Sequence, residues 1–238
     1  MRITDMTILA IGLLSAVPAL AQTEHDQTEH GHSATYHAVR LETALSHEDG
    51  ETTASWDADG WVGGDVHRLW LKSEGERRDG DTEGEVWALY GRNVSTFWDA
   101  QIGLRHGFGD ADRTELAVGL TGLAPYFFET EAHLLVGEKG ALRVRLHQEN
   151  DLLLTNRLVL KPSIEANLSG RADSEAGLGT GLTDMKAGLQ LRYEVTRRFA
   201  PFVAVDYQRR FGDTADMAQT RGKPDEESRV SFGIGWLF

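Results

Sequence analysis

The sequence predicts an all-β fold: a transmembrane antiparallel β-barrel of the outer membrane with about ten strands, eight and twelve staying open, preceded by a disordered His-rich arm. Three observations lead there. Apolar and polar residues alternate with period two through windows of about ten residues, the strand length that crosses a bilayer at a tilt. Aromatic residues gather near the ends of those windows (Trp61, Trp70, Phe97, Trp98, Tyr126, Phe127, Tyr193, Phe199, Phe202, Trp236, Phe238), as two interfacial girdles require. The final window places Val230, Phe232, Ile234, Trp236 and Phe238 on one face, with Arg229, Ser231, Gly233 and Gly235 between them. That ending resembles the terminal strand of outer-membrane barrels, so the barrel assembly machinery is an expected partner through Phe238.

Taken in order, Met1–Ala21 reads as a secretory signal: Arg2 supplies a thin positive start, Met6–Leu20 an apolar stretch, and Ala19-Leu20-Ala21 a small-x-small cleavage site. Residues 22–60 are expected to form a mobile periplasmic arm. They hold nine acidic residues against the single strong base Arg40, and His25, His30, His32, His37 and His47 out of nine His in the chain. Few large apolar residues are present there to offset the entropy of ordering.

Residues 61–238 are expected to be the barrel, with strands starting near 61, 86, 97, 113, 125, 141, 156, 183, 198 and 228. Leu142, Val144 and Leu146 alternate with Arg143, Arg145 and His147; Leu158, Leu160, Ile164 and Ala166 alternate with Arg157, Lys161, Ser163 and Glu165. Short connections (Asn93–Thr96, Thr121–Ala124, Thr196–Arg197) take turns with longer, acidic ones (Glu74–Glu85, Gly170–Leu182, Arg210–Glu227), the pattern of short periplasmic turns and long external loops. Glycine, 26 of 238 residues, suits barrel curvature and tight turns.

Composition also excludes functions. With no Cys there is no thiolate metal site, disulfide framework or thiol nucleophile. A net charge of −13 argues against nucleic acid and for cationic partners. No Gly-x-Ser-x-Gly, His-Glu-x-x-His or phosphate-binding glycine loop is present, so no enzyme is expected. Charged residues inside a narrow barrel must pair, and a balanced ion-pair network filling the lumen is the plainest expectation for them. Two groups point further. With Gly137–Gly140 as a hairpin turn, Glu129, Glu131 and His133 face the same interior as His147 and Glu149, a possible site for a divalent transition metal that Arg143 and Arg145 compete against. In the arm, Glu24-His25-Asp26 and Glu29-His30-Gly31-His32, with His37 and His47 further on, set imidazole beside carboxylate; neutral imidazole suits copper, zinc and nickel.

Several strings carry a family resemblance: Asp65–Glu74 (DVHRLWLKSE), Gly122–Glu129 (GLAPYFFE), Asp151–Leu168 (DLLLTNRLVLKPSIEANL), Gly177–Val203 (GLGTGLTDMKAGLQLRYEVTRRFAPFV) and Phe211–Ala218 (FGDTADMA). In combination they resemble the copper resistance protein B family, the CopB/PcoB type, over most of 56–238. The resemblance implies an outer-membrane barrel with a metal-rich N-terminal periplasmic segment that binds copper and contributes to copper tolerance. Such segments are often Met-rich as well as His-rich. Here the only Met residues are Met1, Met6, Met185 and Met217. Thioethers favour copper(I), so this arm is expected to lean towards copper(II), with weaker discrimination against zinc or nickel. Outer-membrane lipids and periplasmic copper proteins are further expected partners. The rival readings are a small structural barrel with a tether arm and a lipid-modifying outer-membrane hydrolase.

Overall fold

The computed structural model describes residues 35–238, apart from Asp49, Asp110, Ala111, Glu175 and the side chain of Lys139. The expected signal (1–21), the arm up to residue 34, and with it His25, His30 and His32, lie outside the described residues.

Twelve antiparallel strands close a barrel: β1 (Tyr36–Glu48), β2 (Glu51–Gly63), β3 (His67–Arg78), β4 (Asp81–Ser95), β5 (Trp98–Phe108), β6 (Arg113–Ala124), β7 (Phe128–Val136), β8 (Leu142–Glu149), β10 (Leu158–Ser169), β11 (Gly181–Tyr193), β12 (Phe199–Arg210) and β13 (Glu226–Leu237). The two-residue β9 (Leu152–Leu153) is an extra piece on the edge of β10. Each strand pairs with its neighbours in sequence, β8 passes to β10, and β13 returns to β1, where Leu41 meets Trp236. Closure leaves no free edge, the requirement for backbone amides in lipid.

The alternation works inside out. Leu71, Ile102, Leu104, Leu120, Ile164, Val205 and Phe232 are exposed on the outer face, while fourteen polar or charged residues are buried against eight apolar ones among the described residues. A small apolar cluster sits inside, built from Trp87, Leu89, Ala117 and Leu135 with Trp70 against it. Trp61, opposite Trp70, shares that inward face and lies under the Arg68 guanidinium, so these two Trp leave the expected girdle. Phe97, Tyr126 and Phe127 remain exposed at the end of the barrel that carries both strand termini.

Three expectations are corrected. The strand count is twelve, two more than the favoured ten. The arm does not extend to residue 60, because 36–48 and 51–63 are β1 and β2. Their acidic residues do not prevent strand formation: Arg40, Glu42, Asp57 and Asp59 all point inward, while Val39, Leu41 and Leu45 point out. The connection expected at Glu74–Glu85 shrinks to Asp79-Gly80, with φ of 51° and 98°. Asp-Gly with both residues at positive φ is the favoured two-residue hairpin turn, and its twist matches the flanking strands. The longest connections, 170–180 and 211–225, do fall where expected. The second carries the helix α1 (Gly212–Thr220), which docks on the first when Thr214 Oγ1 accepts a hydrogen bond from the Gly179 amide at 2.8 Å.

One glycine pair is dictated by close approach. Trp56, Gly75, Gly84 and Phe108 lie in one row across β2 to β5, and the two rings stack at 6.5 Å over the glycines. A Cβ on Gly75 would sit 2.4 Å from the Trp56 ring and 2.5 Å from the Glu83 carbonyl oxygen. Gly75→Val is therefore expected to destabilise the barrel by about 1–3 kcal/mol through overpacking. Urea titration of tryptophan fluorescence in lipid vesicles checks this; an unshifted midpoint would refute it.

Candidate metal-handling lumen

Inward-facing charges organise the lumen in layers. Towards the end that carries the termini, Arg40 binds Asp59 at 2.7 Å and Glu149 at 3.2 Å, and Lys161 joins Glu149 at 3.3 Å. In the middle, Arg145 reaches from β8 to Glu74 at 2.8 Å, to Glu165 at 3.1 Å and to Glu85. Arg105 also binds Glu85, and its other nitrogen reaches Glu115 at 2.8 Å. Arg143 grips the same Glu115 carboxylate through Nε at 2.8 Å. The Trp87 indole donates to Glu85 at 2.6 Å, and its ring carries the Arg105 and Arg145 guanidinium groups at 5.6 and 5.7 Å. Near the α1 end, Arg229 spans Glu76 and Glu227, and Arg78 meets Glu227 at 3.0 Å. Such mutual pairing is what makes charges tolerable away from bulk water.

Beside this network runs a cavity of about 660 Å³. Its wall carries eleven acidic side chains against seven basic ones, with His147 as the only imidazole among its lining residues. The surplus of carboxylates favours cations over anions within it.

The expected ligands fall into three sets. His25, His30 and His32 are outside the described residues. His37 and His47 lie on the outward face of β1 near its two ends, and His47 Nδ1 meets Thr52 Oγ1 at 3.1 Å. Ten residues of strand hold these two imidazoles about 30 Å apart, too far to share one ion. The third set does meet on one inner wall, with Glu129 opposite Glu149, Glu131 opposite His147 and His133 opposite Arg145. There the side chains part. Glu131 is taken by Lys72 from across the lumen. His133 is buried under Trp87 and bonds Gln101 through Nε2 at 2.9 Å. His147 lies between Glu149 at 3.4 Å and Glu165 at 3.7 Å. Among the described residues, no group of three or more His, Asp or Glu is assembled to hold a metal ion. The protein's own cations occupy two of the carboxylates that the register brings together, Lys72 at Glu131 and Arg40 and Lys161 at Glu149, while Glu129 forms no ion pair among the described residues.

Glu42, Asp57, Glu74, Glu76 and Glu85, all lining the cavity, lie in charge-rich stretches that read as arm or loop in the sequence. For Glu42 the signal is the alternation of Val39, Leu41, Thr43 and Leu45 with Arg40, Glu42, Ala44 and Ser46.

Comparison with known proteins agrees with this architecture. Two solved porins match at fold level: the NanC porin, with a TM-score of 0.56, 13% identity and coverage of 84% of this chain and 98% of that one, and the KdgM porin, with 0.54, 11%, 84% and 99%. Copper resistance protein B of Escherichia coli is 46% identical over 181 residues, covering 75% of this chain and 61% of the relative. The homolog from Pseudomonas syringae pv. tomato is 44% identical over 192 residues, covering 80% and 65%. The chain thus spans less than two thirds of the length of these relatives. The family model described as "Copper resistance protein B precursor (CopB)" matches residues 33–238, the whole of the barrel. The chain belongs to the copper resistance protein B family.

Proposed function

We propose that this protein contributes to copper resistance as a non-catalytic copper-binding barrel of the outer membrane. Copper, preferentially copper(II), is captured in the periplasm by the imidazole and carboxylate groups of the arm around His25, His30 and His32, and exchanges with the mouth and lumen of the barrel. The observation that carries this reading is the cavity wall, where acidic side chains outnumber basic ones and concentrate cations. Family membership supports copper as the cation. The end of the barrel holding the termini and the exposed aromatics faces the periplasm, and the α1 end faces outward, as in barrels whose longer loops are external. His37 lies near the start of β1, where captured ions would pass from arm to barrel. Zinc and nickel are weaker competitors at the arm. Periplasmic copper proteins would load it, and the assembly machinery would read the Phe238 strand.

The test is metal analysis of the refolded full chain beside a form lacking residues 22–34, after equilibration with copper(II) and removal of free ion. The full chain is expected to retain more copper than the deletion, with a smaller fraction left in the barrel. Equal retention would sink the role of the arm, and no retention by either would sink the copper reading.

A further inference from the structure

Three acidic side chains stand shoulder to shoulder on the lumen wall. Glu42 on β1 lies directly opposite Asp57 on β2, and Asp57 directly opposite Glu74 on β3. All three line the central cavity. Opposed positions on a sheet bring Cβ atoms to about 5 Å, and like charges there repel. Glu74 is compensated by Arg145. Arg40 and Lys161 act on Asp57 only at a distance, because their contacts are made elsewhere, Arg40 with Asp59 and Glu149 and Lys161 with Glu149. Among the described residues, no Lys or Arg forms an ion pair with Glu42 or Asp57.

The independent observation comes from β11. Gln190 is 7% exposed, and its Nε2 donates to Glu42 Oε2 at 2.8 Å. Its Oε1 is buried with no hydrogen-bond partner. Both atoms sit on one amide carbon, so the bare oxygen is held beside the Glu42 carboxylate, in the wall of the same cavity. A buried carbonyl oxygen without a donor calls for a cation or another donor.

We propose that Glu42, Asp57 and the Oε1 of Gln190 hold a hard divalent cation on the lumen wall. The donors are all oxygen, two carboxylates and one amide, with no imidazole or thioether, which is the chemistry of calcium, magnesium and manganese. The ion relieves the repulsion between Glu42 and Asp57, satisfies Gln190, and ties β11 to β1 and β2 on either side of the β13–β1 closure. This site does not depend on the copper reading.

The experiment is a manganese(II) titration of the full chain, folded in detergent micelles, followed by the electron paramagnetic resonance of free manganese. The wild type is expected to bind saturably, with competition by calcium. Asp57→Asn and Gln190→Met are expected to weaken binding by about tenfold or more, as loss of groups at a metal site generally does. Gln190→Glu supplies a charged oxygen and is expected to tighten binding and make thermal unfolding manganese-dependent. Heat-modifiable gel mobility identifies the folded variants. No binding by the wild type, an Asp57→Asn curve equal to wild type, or a folded Gln190→Glu protein with unchanged or weaker affinity would overturn the proposal.

Discussion

Glu115→Ala is expected to cost the barrel about 3–5 kcal/mol, the usual penalty for breaking a buried ion pair from one side. Glu115 is 1% exposed and binds two guanidinium groups, Arg105 from the adjacent β5 and Arg143 from β8. Removing it takes a partner from two positive charges beside the apolar cluster of Trp87, Ala117 and Leu135. Arg105 retains Glu85, but Arg143 forms no other ion pair among the described residues. Most of the loss therefore comes from Arg143. The double variant Glu115→Ala/Arg143→Met is expected to recover part of the stability, because it removes the stranded charge along with its partner. Urea midpoints in lipid vesicles, read by tryptophan fluorescence and gel mobility, provide the measurement. A Glu115→Ala midpoint equal to wild type would show that the carboxylate is not a structural tie.

Arg145→Ala is expected to open the lumen. This side chain crosses the interior from β8 to Glu74 on β3, Glu85 on β4 and Glu165 on β10. It is the crossbar between opposite walls, and removing it both widens the path and leaves Glu74 without an ion pair among the described residues, while Glu85 keeps Arg105 and Glu165 keeps Asn167 and His147. Single-channel recordings in planar bilayers are expected to show several-fold higher conductance with a shift towards cation selectivity. Arg145→Lys is expected to restore the wild-type behaviour only in part, since a single ammonium cannot replace a planar fork that serves three carboxylates. Unchanged conductance in Arg145→Ala would mean that the constriction lies elsewhere.

Much of this architecture was legible in the chain. Strands β4 to β8 and β10 to β13 show clear alternation, because one face meets lipid and every second residue must be apolar. The pairing of β7 with β8 followed from the Gly137–Gly140 turn, and it brings Glu131 opposite His147 as expected. The β1–β2 hairpin and the β3–β4 turn were hidden for a single reason. Charge density is normally a sign of solvated loop, yet inside a barrel charges are stable wherever countercharges face them. Residues 74–85 (EGERRDGDTEGE) read as loop, but Arg78 reaches Glu227 and Glu76 reaches Arg229, both on β13.

The sequence by itself determined the fold class, the face that β5 to β8 and β10 to β13 turn to lipid, and the family, because period-two hydropathy and local strings are properties of the chain alone. Only the tertiary structure decided which charge meets which. Arg145 finds Glu85 and Glu74 at separations of 60 and 71 residues, and Arg78 finds Glu227 at 149. Closure of the ring and the register of twelve strands set those distances. The same closure gives Glu131 to Lys72, buries His133 against Gln101, and leaves Glu42, Asp57 and the oxygen of Gln190 together on one wall. Alternation specifies that a side chain points inward; only the three-dimensional path of the strands specifies what it meets there.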